Sequence, residues 1–227
     1  MVPSPSPACS PTRYGRRGSG GVSSVLRVGL TGGVASGKST VAKMLAGRGA
    51  VCLDADQVVA ALYGPGQPGA LIVAEVVGGE VLAGDGSVDR ARLAARILED
   101  AALRQRLEAR VHPLVRAEIR AFFQRLAAAP TPPAVAVVEA ALLVETGSYR
   151  DFDALVVVVS PLALRRQRAL AAGWPAARFD GVVAAQASDE ERRRVAQFVI
   201  TNDGDLANLE GQVAALWERL LAQAAEQ

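Results

Sequence analysis

Lysine is almost missing from this chain of 227 residues, which takes nearly all of its positive charge from arginine. Only Lys38 and Lys43 are lysines, and His112 is the single histidine. The two cysteines, Cys9 and Cys52, are too few for a disulfide framework or a cysteine-based zinc site. This cysteine usage fits a protein of the reducing cytoplasm.

Long apolar runs are also missing, although half of the residues are hydrophobic. No run reaches the roughly 18 to 20 residues that a membrane-spanning helix needs. The net charge of +2 gives no electrostatic case for binding nucleic acid or an anionic membrane. We therefore expect a cytoplasmic monomer that binds neither nucleic acid nor a membrane.

The first 24 residues contain few large apolar side chains and are rich in proline, serine and glycine. Such a segment cannot offset the entropy cost of ordering by burying apolar surface. We expect residues 1–24 to form a disordered tail. The remainder, residues 25–227, has the length of one α/β domain with an insertion.

Five short apolar runs rich in β-branched residues recur along the chain. They read VLRVGL, AVCLDAD, AVAVVEAALLV, DALVVVVS and QFVIT. Nearly continuous apolar strands are typical of a parallel sheet that is buried on both faces by helices. The pattern predicts a three-layer α/β fold with a parallel five-stranded sheet.

Two helical segments interrupt this strand pattern. About 75 residues separate the second and third runs, too many for a simple crossover, so residues 58–130 are expected to form a helical insertion. A second, arginine-rich helical block occupies residues 161–196 and has the character of a lid. The sheet core is then expected from residues 25–57, 133–160 and 197–224.

The stretch TGGVASGKST directly follows the first apolar run. Residues 32–39 match G-x-x-x-x-G-K-[ST], the phosphate-binding loop, and lie between a predicted strand and a predicted helix. In such a loop, backbone N–H groups surround phosphate oxygens. Lys38 is expected to bridge the terminal phosphates, and the Ser39 hydroxyl to bind Mg²⁺. The predicted ATP contacts here are Gly33, Val34, Ala35, Ser36, Gly37, Lys38, Ser39 and Thr40.

Two aspartates follow the second strand, in the stretch LDAD. Ligands of parallel sheets bind beyond the carboxyl ends of the strands, so both should approach the nucleotide. Asp54 is suited to cap the next helix, which leaves Asp56 as the better base for an attacking hydroxyl. Neither a GTPase base-reading motif nor a transporter signature is present, and a small-molecule kinase is the leading class.

Several short motifs together resemble those of dephospho-CoA kinase, the last enzyme of coenzyme A synthesis. They are T-G-G-V-A-S-G-K-S-T, D-A-D at 54 to 56, H-P-L-V-R at 112 to 116, A-L-L-V-E at 141 to 145, and T-N at 201 to 202. The resemblance covers about residues 26 to 220. It implies a P-loop kinase that uses ATP and Mg²⁺ to phosphorylate the ribose 3′-hydroxyl of dephospho-CoA, with Asp56 as base and Lys38 as the second catalytic residue. It also implies that the helical insertion holds the acceptor and that the arginine-rich block is the lid.

The remaining site residues are assigned partly through this resemblance. His112 precedes Pro113 at an expected helix start, where it could cap the helix or bind a substrate polar group. Arg116, one helical turn later, could meet an acceptor phosphate. Substrate contacts are therefore expected from Thr31, Asp56, His112 and Arg116. Further ATP contacts are expected from Arg168 in the lid and from Asn202, which the resemblance places at the adenine.

One strand-end residue, Glu139, has two possible roles. It ends the third strand beside the phosphate-loop strand, where it could reach Mg²⁺ through water, or it could be a solvated strand-end carboxylate.

The match to the family departs at three positions. Ala141 replaces a proline that is usual after the third strand, Ala172 takes the place of a usual lid arginine, and Gln197 replaces a common aspartate. Losing a charge-stabilising arginine can cost orders of magnitude in rate. Arg165, Arg166 and Arg178 are candidate substitutes.

Two alternatives therefore stay open. One is a P-loop kinase of another nucleoside or nucleotide, and the other is a catalytically impaired nucleotide-binding module.

Overall fold

The computed structural model describes residues 25–227, so the tail expected over residues 1–24 lies outside it. Within that range, five parallel strands form one sheet in the order β2-β3-β1-β4-β5. The strands are β1 (Leu26–Gly32), β2 (Val51–Asp54), β3 (Val135–Glu139), β4 (Ala154–Val159) and β5 (Phe198–Thr201). The predicted five-stranded parallel sheet is confirmed.

Nine α-helices lie within residues 25–227. They are α1 (Lys38–Ala46), α2 (Ala55–Leu62), α3 (Pro68–Val76), α4 (Arg90–Glu99), α5 (Ala101–Ala127), α6 (Leu162–Ala171), α7 (Ala176–Ala185), α8 (Asp189–Val195) and α9 (Leu206–Ala225). Short 3₁₀ turns occur at Gly79–Val81 and Ser148–Asp151. Helices α2 to α5 fall between β2 and β3, and α6 to α8 fall between β4 and β5.

The sheet is covered on both faces, as continuous apolar strands require. On one face, α1 and α9 pack on side chains such as Leu30 and Val156. On the other face, α5 contributes Phe122 against Ala136 and Val138, and α8 packs beside β4. The helices between β2 and β3 also have an apolar core of their own, built from α3, α4 and the first half of α5.

The position of His112 corrects one expectation. His112 and Pro113 lie inside α5, which begins at Ala101, so His112 neither starts nor caps this helix. A proline inside a helix removes one backbone hydrogen bond. Here α5 continues because both halves are buried: Val111 packs in the core shared with α3 and α4, and Phe122 packs on the sheet.

Candidate active site

The phosphate loop connects β1 to α1. Gly37, the residue before α1, has φ 98°, and Ala35 has φ 58°. Ala35 is the only residue other than glycine with a positive φ in the described range, and its small side chain limits the strain. None of the described side chains caps α1, so its first N–H groups are left for a ligand.

Lys38 is held at this loop by backbone oxygens. Its Nζ atom donates to the carbonyls of Gly32 at 3.2 Å and Gly33 at 3.4 Å. Burial lowers the pKa of Lys38, and the charges of Glu139 and Asp56 oppose that shift. A partly desolvated ammonium thus lies within electrostatic range of both carboxylates.

The carboxyl ends of three adjacent strands bring the acidic residues to the same edge. Glu139 pairs in register with Leu30 of β1 and with Asp54 of β2. Asp54 caps α2, because its Oδ1 accepts a hydrogen bond from the Asp56 N–H at 2.8 Å. Asp56 is exposed in the first turn of α2 and is free of that capping role. Burial raises the pKa of Glu139, while Lys38 opposes the shift.

A cavity of about 550 Å³ opens beside Asp56. Its walls come from α2, from residues 112–123 of α5, and from the loop after β3. Phe123, Phe152 and Ile119 provide apolar surface. The volume and the mixed lining are typical of a site for a small organic molecule.

Helix α5 supplies the polar side of this cavity. His112, Arg116 and Arg120 succeed one another at helical intervals of four residues and all line the cavity. The arginine guanidiniums form no ion pair with any side chain described here, so both charges remain available to an anionic acceptor. The sequence analysis did not select Arg120. Its spacing of four residues from Arg116 places both arginines on the same face of a helix and could have indicated it.

Thr31 is the predicted substrate contact that does not reach the cavity. It is fully buried in β1, and its hydroxyl donates to the Ala141 carbonyl at 3.3 Å. Ala141, the departure from the usual proline, lines the cavity itself. The structure therefore gives Thr31 a role in holding the loop that forms one wall.

A second cavity, of about 240 Å³, borders the start of α1 at Gly37 and Thr40. Thr40, Arg168 and Asn202 line it together with the start of α9. Asn202 Nδ2 donates to the Ser36 carbonyl at 2.8 Å, and Arg168 Nη2 donates to Asn202 Oδ1 at 3.2 Å. Arg168 and Asn202 thus lie together beside the phosphate loop.

The side chains near the phosphate loop that could bind a metal ion offer oxygen atoms. Among residues 25–227 no cluster of His, Cys, Asp and Glu could hold a metal by itself. Ser39 is exposed in the first turn of α1, and Glu139 ends the neighbouring strand. A hydroxyl and a carboxylate near a phosphate loop suit Mg²⁺ that arrives with phosphate oxygens.

Two residues of the segment 161–196 contact the phosphate loop and were not predicted to do so. Arg165 Nε donates to the Val34 carbonyl, and Gln186 Oε1 accepts from the Val34 N–H, both at 2.9 Å. Arg165 was considered only as a substitute phosphate ligand. No sequence signal separates it from the other arginines of residues 161–196.

Gln197 and Ala172 are the other two positions that differ from the usual family residues. The Gln197 backbone N–H donates to the Leu155 carbonyl at 3.1 Å. The Gln197 side-chain oxygen accepts a hydrogen bond from the Leu155 N–H at 2.7 Å. Gln197 therefore binds both backbone polar groups of Leu155 in β4, directly before β5 begins. Ala172 lies exposed just after the end of α6.

No helix in the described part of the chain has both the length and the apolar character needed to cross a bilayer.

Comparisons with known proteins agree with this geometry. The family model described as dephospho-CoA kinase matches residues 26–208. A dephospho-CoA kinase of Methylococcus capsulatus is 43% identical over 203 residues, covering 88% of this chain and 100% of that protein. One of Frankia casuarinae is 40% identical over 196 residues, covering 86% and 84%. The crystal structure of TT1252 from Thermus thermophilus superposes with a TM-score of 0.73 at 31% identity, covering 86% of this chain and 98% of the other.

Proposed function

This chain belongs to the dephospho-CoA kinase family, and we propose that it transfers the γ-phosphoryl group of ATP to the ribose 3′-hydroxyl of dephospho-CoA. The observation that carries this proposal is the position of Asp56. It lines the large cavity and lies within electrostatic range of Lys38 in the phosphate loop. A carboxylate at this point faces both an acceptor in the cavity and a phosphate on the loop.

The reaction follows from these positions. The acceptor hydroxyl forms a bond to the γ-phosphorus, the bond to the β–γ bridging oxygen breaks, and ADP leaves. The hydroxyl proton passes to the Asp56 carboxylate. Lys38 and the N–H groups at the start of α1 stabilise the negative charge on the phosphate oxygens.

Mg²⁺ is the proposed companion of ATP, and it neutralises part of the phosphate charge. Ser39 would bind it, and Glu139 is suited to contact it through water. Arg168, Thr40 and Asn202 are proposed to hold the nucleoside end of ATP, because they line the smaller cavity next to the loop.

The acceptor would occupy the larger cavity. Arg116 and Arg120 suit the diphosphate of dephospho-CoA, and His112 can bond one of its polar groups. Phe123, Phe152 and Ile119 suit its uncharged chain. We further propose a monomer acting in the cytoplasm, since one chain supplies both cavities.

The test is an ADP-release assay with dephospho-CoA, set against a panel of nucleosides and nucleotides at equal concentration. We expect dephospho-CoA to be preferred by at least about a hundredfold in kcat/KM, the size of effect that several specific polar contacts give. Preference for another acceptor would point to a related kinase. ATP binding without turnover of any acceptor would point to a binding module.

The product identifies the hydroxyl that is phosphorylated. Mass spectrometry and ³¹P NMR should show a 3′-phosphomonoester, and phosphorylation at the 2′-hydroxyl would contradict the proposed orientation. Gel filtration of the full chain checks the monomer.

A further inference from the structure

Two side chains of residues 161–196 bind the phosphate loop at one residue, Val34. One of them binds its N–H group and the other its carbonyl oxygen. Val34 donates its N–H to Gln186 at the end of α7 and accepts a bond on its carbonyl from Arg165 of α6. Both distances are 2.9 Å. A backbone segment with both polar groups bonded to side chains has a defined orientation.

Arg165 is also packed against the loop. Its side chain is nearly buried, with a relative exposure of 6%. A Cβ atom added to Gly33 would clash with the Arg165 guanidinium. Only glycine leaves room for that guanidinium directly against the loop backbone.

A chain of charges fixes Arg165 in place. Its Nη1 atom lies 3.5 Å from Asp189 Oδ1, and the same oxygen lies 3.4 Å from Arg192 Nη1. Arg192 in turn contacts Glu145 at 2.7 Å, in the loop after β3. Buried arginines with charged partners have little freedom to change rotamer.

We propose that Arg165 and Gln186 are positioning residues, which hold the phosphate loop in the shape that receives the phosphates of ATP. Their action is on the Val34 peptide and not on the nucleotide. Arg165 is therefore assigned a different task from that of the lid arginine missing at Ala172. The inference rests on the proposed function only in requiring that this loop binds a nucleotide.

The test measures the affinity for Mg·ATP by calorimetry without any acceptor, in Arg165→Met and Gln186→Met. Gln186→Met keeps the length of the side chain, whereas Arg165→Met shortens it and also removes the ion pair with Asp189, and both changes remove the bond to Val34. We expect each to weaken binding about tenfold, the effect of losing one well-formed hydrogen bond in a binding site. The matched control is Arg193→Met, an exposed arginine of α8, which should stay within about twofold.

Kinetics separate positioning from a general structural defect. If the residues position the loop, KM for ATP rises about tenfold in both variants, whereas KM for the acceptor and kcat at saturating ATP change less than about threefold. Unchanged ATP affinity in both variants would overturn the proposal. So would a loss that affects all three parameters equally and follows a lowered melting temperature of the ligand-free protein.

The binding measurement does not depend on the identity of the acceptor. A wild-type protein that binds ATP but does not phosphorylate dephospho-CoA would refute the proposed function, and the comparison of Arg165→Met with wild type would still decide the positioning role.

Discussion

Arg192 Nη2 lies 2.7 Å from Glu145 Oε1, with the arginine side chain only 1% exposed. This pair joins α8 to the loop after β3. Glu145 also accepts the Ala187 N–H at 2.8 Å, so one carboxylate holds both α8 and the segment just before it. The pair therefore connects the loop after β3, which lines the large cavity, to α8, whose Asp189 pairs with Arg165.

Removing Arg192 should destabilise the whole domain. Arg192→Met leaves the half-buried Glu145 carboxylate without its cation, and breaking such a pair costs about 3 kcal/mol or more. Urea unfolding monitored by circular dichroism measures the change in the free energy of unfolding. Arg193→Met, at the exposed neighbouring position, should change it by less than about 0.5 kcal/mol. Equal effects of the two changes would contradict the structural role of this pair.

Substitutions of Asp56 and Asp54 should have different effects, because we expect Asp56 to act as the base and Asp54 caps α2. Asp56→Asn is expected to keep the affinity for ATP and to lower kcat by a factor of about 10² to 10⁴, the usual contribution of a general base. Asp54→Asn should keep most of the activity, since asparagine is as good a cap as aspartate.

Steady-state rates with both variants check this assignment. An Asp56→Asn enzyme with undiminished kcat would remove the base from the mechanism. A larger loss for Asp54→Asn would exchange the two roles.

Arg116 and Arg120 should affect the acceptor and not ATP. Both line the large cavity, and each charged contact to a diphosphate is worth about tenfold in affinity. Replacing either arginine with methionine should raise KM for dephospho-CoA by about that factor, with KM for ATP unchanged. The control is Arg125→Met, an exposed arginine of the same helix outside the cavity. A rise in KM for ATP alone would place the acceptor elsewhere.

Ala35 offers a prediction about backbone strain. With φ 58°, it occupies a region that costs an L-residue about 1 kcal/mol relative to glycine. Ala35→Gly should therefore raise the free energy of unfolding by about that amount. Ala94→Gly, in the exposed middle of α4, should lower it by a similar amount because glycine disfavours a helix. Changes of the same sign at the two positions would argue against strain at Ala35.

Much of this fold could be predicted because its signals are local. The β-branched runs marked the five strands, and the glycines with Lys38 marked the phosphate loop. That Asp54 and not Asp56 caps α2 followed from helix capping, which depends only on neighbouring residues. The expected helix start at His112 was wrong, since Pro113 is tolerated inside a helix when both flanking halves are buried by other elements.

The contacts between residues 161–196 and the phosphate loop could not be predicted in the same way. Arg165 and Gln186 meet Val34 across more than a hundred positions of sequence, and that meeting depends on how α6 and α7 pack. Arg192 looks like its exposed neighbour Arg193 until its burial is known. The hydrogen bond from the Thr31 hydroxyl to the Ala141 carbonyl likewise joins residues far apart in the sequence, and the motif in which Thr31 lies does not predict it.

The lowered pKa of Lys38 predicts a pH dependence of nucleotide binding. Only the protonated ammonium attracts phosphate, and burial lowers its pKa in the ligand-free protein. As the pH rises through that lowered pKa, the association constant for ATP should fall, by up to about tenfold per pH unit. Calorimetry from neutral pH to about pH 10 measures this fall.

Lys38→Arg is the matched control, because a guanidinium stays protonated over the whole range. Its affinity for ATP should be nearly independent of pH, even if it is lower at neutral pH.

The free energy of unfolding of the ligand-free wild type provides a second measurement. Between the lowered pKa and the ordinary one, folded Lys38 binds fewer protons than the unfolded chain, so the free energy of unfolding gains a contribution that rises with pH. Identical pH slopes for wild type and Lys38→Arg would show that another group controls the binding of ATP.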